Sequence, residues 1–186
     1  PVSKGLLSGW FKYLDFSKDE IKFLESRIAE RQNNGRIKAT LSNRKRRIER
    51  ENINFEKSKT SFEKYKNDPL FIIGVCLYWA EGAKRTSGFQ FVNSDPDMNI
   101  FMYKWVQKYM EIDKNKVGLR LFTHRIQGYE KHIKFWSNLL LVKEDLFKKT
   151  IYKPTIHTVK RNPNYNGCLR IEVNGINNLR TIKTWQ

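Results

Sequence analysis

The sequence predicts an α+β fold: a mostly antiparallel sheet with helices on one face and the other face free, preceded by a cationic helical arm. Three observations predict it. Apolar residues over 69–186 follow helical and alternating periods in the order helix, strand, helix, strand, helix, two strands, helix. The texture changes at Asp68-Pro69, with four of the five tryptophans and most apolar runs on the C-terminal side. The 186 residues carry 36 Lys+Arg against 19 Asp+Glu, a net charge of +17 that divides as +7 before that step and +10 after it. Both parts therefore favour a polyanionic partner. The expected organisation is residues 1–16, a short helical module; 17–68, a basic helical arm; and 69–186, an α+β domain.

In the first segment, Ser3 is placed to cap a short helix, and Leu6, Leu7 and Trp10 share one face. The segment resembles the recognition helix of a helix-turn-helix module. That resemblance puts Ser3, Lys4, Ser8 and Lys12 on DNA and implies two earlier helices upstream of Pro1. The chain begins without Met and without an apolar leader-like run, so a fragment lacking a signal peptide is expected.

Ser17-Lys18-Asp19-Glu20 forms a capping box, and Ile21, Leu24 and Ile28 continue a helical stripe. Asn33-Asn34-Gly35 predicts a stop. A second helix then starts near Arg36, with Ile37, Leu41 and Ile48 on one side and Arg44, Lys45, Arg46, Arg47 and Arg50 opposite. Arg44 and Arg47 are candidates for lying along phosphates.

Leu70 to Gly82 is apolar nearly all round and predicts a buried helix, with Pro69 in its first turn and Gly82 at its C-cap. The aromatic rings of Trp79, Trp105 and Trp136 are expected in the core. Glu81 adds an anion to a helix end that already carries partial negative charge, so a cation, a metal or solvent must offset it. Gly88–Asn93 predicts a strand. Ser94-Asp95-Pro96-Asp97 starts a helix whose stripe is Met98, Phe101, Met102, Trp105 and Tyr109. Val117–His124 alternates, with Val117, Leu119 and Leu121 inward and Arg120, Phe122 and His124 outward. Ile133, Trp136 and Leu140 mark another helix. Thr150–Thr158 predicts a strand that Pro154 confines to an edge or bulge. Cys168–Val173 is a strand with Arg170 and Glu172 outward, and Ile176, Leu179 and Ile182 open a last helix.

Gly74-Val75-Cys76-Leu77-Tyr78-Trp79-Ala80-Glu81-Gly82 resembles a degenerate LAGLIDADG motif, the signature of a homing endonuclease family. Phe91 to Asp97, His132 to Ser137 and Gly167 to Val173 resemble later segments of bacterial members that also begin with a helix-turn-helix. The resemblance implies a LAGLIDADG-like domain whose sheet enters the major groove of double-stranded DNA. It also implies a homodimer through the 70–82 helix, with Cys76 and Ala80 as the small contact residues. Glu81, with the Ala80 carbonyl, would hold Mg²⁺ for phosphodiester cleavage, and Lys153 would support catalysis, with Arg120 as the alternative. Base readout would fall to Gln90, Arg120, His124 and Arg170. Phosphate contacts would fall to Lys84, Arg85, Lys153, Lys160 and Arg161, with Arg125 also on DNA. The competing expectation is a non-cleaving DNA-binding regulator, or an intron-RNA-binding maturase, on the same fold. No run of apolar residues is long enough to span a membrane. Two cysteines, Cys76 and Cys168, make no disulfide framework, which fits a cytoplasmic, nucleoid-associated protein. His124, His132 and His157 lack metal-ligand spacing.

Overall fold

The computed structural model describes residues 2–124, 129–154 and 165–186, with Tyr129 described by its backbone. The chain divides into two compact units, residues 1–50 and 51–186.

In the N-terminal unit, helix α1 (Lys4–Phe11) begins where Ser3 Oγ accepts from the Leu6 amide at 3.3 Å. Helix α2 (Lys18–Tyr65) begins at the expected capping box: the Ser17 amide donates to Glu20 Oε2 at 2.8 Å, and the Glu20 amide donates to Ser17 Oγ at 3.3 Å. The expected stop at Asn33-Asn34-Gly35, and the fresh start at Arg36, are absent: α2 is continuous through them. An exposed Gly costs a helix only about 1 kcal/mol and Asn less. The neighbours are good helix formers, and no proline forces a break. From Val2 to Arg50 every side chain is exposed except half-buried Leu7, so this unit has no core.

The C-terminal unit contains the end of α2, then α3 (Pro69–Glu81), β1 (Gly88–Asn93), α4 (Pro96–Tyr109), β2 (Gly118–His124), α5 (Tyr129–Leu140), β3 (Phe147–Lys153), β4 (Cys168–Asn174) and α6 (Ile176–Trp185). The strand order is β1-β4-β2-β3. β4 pairs antiparallel with β1 and β2, but β3 runs parallel to β2. The sheet is therefore mixed: two of its three pairings are antiparallel, in keeping with the mostly antiparallel sheet expected, and the third is parallel. The reason is α5, which carries the chain back along the sheet before β3 starts, as a parallel crossover requires. β3 begins three residues before the expected Thr150 and ends ahead of Pro154; it occupies an edge, and its register with β2 slips between Arg120 and Phe122. Pro154 is outside the strand, and residues 155–158 of the expected strand lie outside the described residues.

Inward residues Phe89, Phe91, Leu119, Leu121, Leu169, Ile171 and Val173 are buried beneath the helices. Phe71 of α3 is fully buried among the rings of Tyr65, Trp105, Tyr109 and Trp185. Each buried indole keeps a partner: Trp105 Nε1 donates to the Phe71 carbonyl at 3.2 Å, and Trp185 Nε1 to the Ser58 carbonyl at 2.8 Å. Trp136 is buried as expected, and its Nε1 donates to the Asn166 carbonyl at 2.8 Å.

Helix α3 departs from expectation. Phe71, Gly74, Val75 and Tyr78 are buried, but Leu70 (50%), Ile73 (51%) and Trp79 (64%) are exposed, as are Cys76 and Ala80. The sheet and α4 cover one side of the helix, and the described part of this unit has no layer to cover the other. Trp79 is therefore on the surface rather than in the core. Asp68 caps α3 through the Leu70 amide at 3.0 Å and ties it to α4 by accepting from Tyr109 Oη at 2.5 Å. Those bonds, Tyr109's first, hold its carboxyl below the ordinary value.

Close packing at Gly74 yields a test. A Cβ there would stand 2.0 Å from Trp105 Nε1, and the buried indole has no room to retreat. Gly74→Ala is expected to cost about 3 kcal/mol, measured by urea unfolding. An unchanged midpoint would contradict this packing.

Candidate nucleic-acid interface

Alternation along four strands dictates what is displayed by the face of the sheet that no described helix covers. The strand registers align Val92, Arg170, Arg120 and Lys148 in one row across β1, β4, β2 and β3. Three cations thus stand directly opposite one another on neighbouring strands, an arrangement that is destabilising when nothing offsets it. The next row holds Gln90, Glu172 and Gly118. Beyond the cations come Cys168, Phe122 and Ile151, then His124 beside Lys153.

One acid organises this face. Glu172 is only 6% exposed. Lys148 Nζ donates to its Oε1 at 2.5 Å, although Lys148 belongs to β3 and Glu172 to β4. The lysine crosses β2 at Gly118, where a Cβ would meet Glu172 Cγ and Lys148 Nζ, each at 2.9 Å. Arg170 Nε stands 2.8 Å from Glu172 Oε2, off the line of its N–H, so the two form an ion pair without a hydrogen bond. The Arg170 guanidinium also lies 5.0 Å from the centre of the Phe122 ring, a cation–π distance. Arg120 Nε is buried with no hydrogen-bond partner among the described residues. The cluster has three cations against one carboxylate, so charge is left over for an anion from solution.

At the far end, Cys168 Sγ lies 3.5 Å from both Lys153 Nζ and Tyr165 Oη. Burial, and then the bond to Cys168, pushes the Tyr165 phenol up, so it stays protonated. His132 lies on the helix side, its Nδ1 3.1 Å from Thr123 Oγ1, and burial pushes its imidazole down.

The C-terminal end of α3 is a second feature. Lys84 Nζ donates to the carbonyls of Tyr78 at 2.9 Å, Trp79 at 2.7 Å and Gly82 at 2.6 Å. Gly82 sits at the C-cap in extended geometry, so its role is not a left-handed turn. A Cβ there would strike the Tyr78 ring at 2.4 Å. Glu81 is exposed. Among the described residues no three His, Cys, Asp or Glu side chains converge as a metal site.

The structure brings Gln90, Arg120, His124, Arg170 and Lys153 together on the open face. It does not bring Glu81 and Lys153 together. Gly82, next to Glu81, bridges to Phe91 on the β1 edge, whereas Lys153 lies on the β3 edge. Three strand spacings of about 4.8 Å separate those edges. Lys84 has its three donors engaged on α3 and its C-cap, while Arg85 is exposed in the following turn. Cys76 and Ala80 lie on the exposed side of α3. Ser3, Lys4, Ser8, Lys12, Arg44 and Arg47 are exposed in the N-terminal unit. Arg125, Lys160 and Arg161 lie outside the described residues. Sequence reasoning missed Lys148 as a site residue, and it did not see Glu172 as the acid that organises the face. The available signal was Gly118 opening a strand whose neighbours carry long charged side chains.

No protein-family model, curated protein or solved structure matches the chain.

Glu172→Gln keeps the shape of that side chain and removes its charge. Stability is expected to fall by about 2 kcal/mol, and by less at high salt, where repulsion among the cations is screened. Urea unfolding at two NaCl concentrations reads both effects, and a glutamine variant as stable as the parent would refute the organising role of Glu172.

Proposed function

We propose that the protein binds double-stranded DNA across the open face of its sheet and does so as a homodimer joined through the exposed side of α3. The observation that carries the reading is the row Arg170, Arg120 and Lys148, three cations abreast with one buried acid beside them. Such a surplus attracts phosphates and releases their counterions. Arginine side chains projecting from strands also suit guanine edges in the major groove, with Gln90 suited to adenine. The net charge of +17 and the exposed cations of α2 add a sequence-independent attraction.

The dimer is supported by Leu70, Ile73, Cys76 and Trp79, apolar or small residues spaced three apart on the exposed side of α3. An exposed apolar stripe of this kind marks an association surface. A two-fold pair would offer two sheets to two half-sites. Small Cys76 and Ala80 suit close helix approach, which the LAGLIDADG resemblance also implies.

Between the two activities that the resemblance allows, binding without cutting is the better supported. Mg²⁺-dependent cleavage would need Glu81 and a supporting cation at one phosphate, and within one chain Lys153 belongs to the opposite edge of the sheet and Arg120, the alternative, to β2, two strands from the β1 edge. The regulator reading needs only the cationic face.

Arg120→Ala and Arg170→Ala are each expected to weaken binding to duplex DNA and to reduce the slope of log K against log[salt] by about one. Fluorescence anisotropy across a salt series measures both. Unchanged slopes in both variants would refute the sheet-face reading. Ile73→Asp is expected to convert a dimer into a monomer in sedimentation velocity, while a wild-type chain that sediments as a monomer would refute the dimer.

A further inference from the structure

The end of α3 is where a divalent ion would be expected, and it already holds a cation. All three Lys84 N–H donors are spent on backbone carbonyls, those of Tyr78 and Trp79 in the helix and of its C-cap Gly82. The ammonium also lies 5.4 Å from the Tyr78 ring centre. The turn that brings Lys84 there is clipped on both sides. Tyr78 Oη donates to the Ala83 carbonyl at 2.6 Å, the Ala83 amide donates to the Gln90 carbonyl on β1 at 2.9 Å, and the Gly82 amide donates to the Tyr78 carbonyl at 2.8 Å. Lys84 is thus half-buried in a preformed seat, unlike exposed Arg85.

The residues present do not fit Mg²⁺. That ion demands near-octahedral oxygen ligation, usually with one or two carboxylates and several waters. Here the Tyr78, Trp79 and Gly82 carbonyls already receive hydrogen bonds, Glu81 is the one carboxylate that the described residues of the α3 end supply from this chain, and a dication on the Ala80 carbonyl would stand beside a fixed ammonium. The electrostatic need is met as well. The partial negative charge of the helix end has Lys84 as counter-ion, and the exposed Glu81 carboxylate is met by solvent.

We infer that Lys84 is a built-in substitute for a divalent metal at the α3 terminus, so that the protein engages its nucleic acid without metal. The inference deepens the DNA-binding reading and rests on it for the identity of the ligand. The statement about the metal stands on the helix end alone.

The experiment titrates Mn²⁺ into the full chain, with the free ion followed by electron paramagnetic resonance, for wild type and Glu81→Gln. Duplex DNA binding is measured in parallel with EDTA and with Mg²⁺. The expected result is Mn²⁺ binding that is equally weak in both proteins, and DNA affinity no higher with Mg²⁺ than with EDTA. A saturable Mn²⁺ site in the wild type that Glu81→Gln removes would overturn the inference, as would DNA binding that requires Mg²⁺. Lys84→Met is expected to lower the melting temperature more than Arg85→Met does; equal effects would also overturn it. Absence of DNA binding in both conditions, with no Glu81-dependent Mn²⁺ site, would defeat the DNA-binding reading and leave the metal-free helix end standing.

Discussion

A single buried carboxylate makes the cationic face possible. Without Glu172, the three positive side chains of neighbouring strands would repel one another across distances set by the sheet itself. With it, Lys148 is drawn across β2 and Arg170 is held beside Phe122, so these two cations have fixed directions rather than a solvated spread. This arrangement also depends on Gly118, because a larger residue would close the path that Lys148 takes.

Beneath that face the fold supplies rigidity. The inward side of the sheet is apolar across β1, β4 and most of β2, and Phe71 joins α3, α4, α6 and the end of α2 through aromatic contacts. The same α3 that anchors one side of its surface in this cluster leaves Ile73, Cys76 and Trp79 outside. Its terminus is closed by Lys84 and returns directly into β1. One helix therefore links the core, the proposed dimer surface and the edge of the proposed DNA-binding sheet.

What could be read from the sequence follows the range of the interactions involved. Capping at Ser3 and at Ser17–Glu20 is local and was legible from a few adjacent residues. So were the inward and outward positions of β2 and β4, because strand alternation needs no partner. The continuity of α2 through Gly35 was not legible: stop signals describe where helices can end, and only the absence of a competing contact lets one continue. The exposure of α3 was hidden for the opposite reason, since an apolar surface looks alike whether its partner is a core or another chain. Lys148 and Glu172 lie 24 residues apart, and their pairing depends on register and on the parallel placement of β3, neither of which a single-sequence pattern encodes. Gln90, Arg120, His124 and Arg170 were legible as outward positions, whereas the separation of Glu81 from Lys153 required the strand order.

The central claim is that the open face of the sheet, rather than the helical face, meets the nucleic acid. Lysine footprinting tests it most directly: brief acetylation of the full chain with and without a mixed-sequence DNA duplex, followed by mass spectrometry. The account predicts protection of Lys148 and Lys153 on the sheet, with exposed Lys104 and Lys134 on α4 and α5 labelled equally in both conditions. Protection of Lys104 and Lys134 with Lys148 and Lys153 left reactive would contradict it.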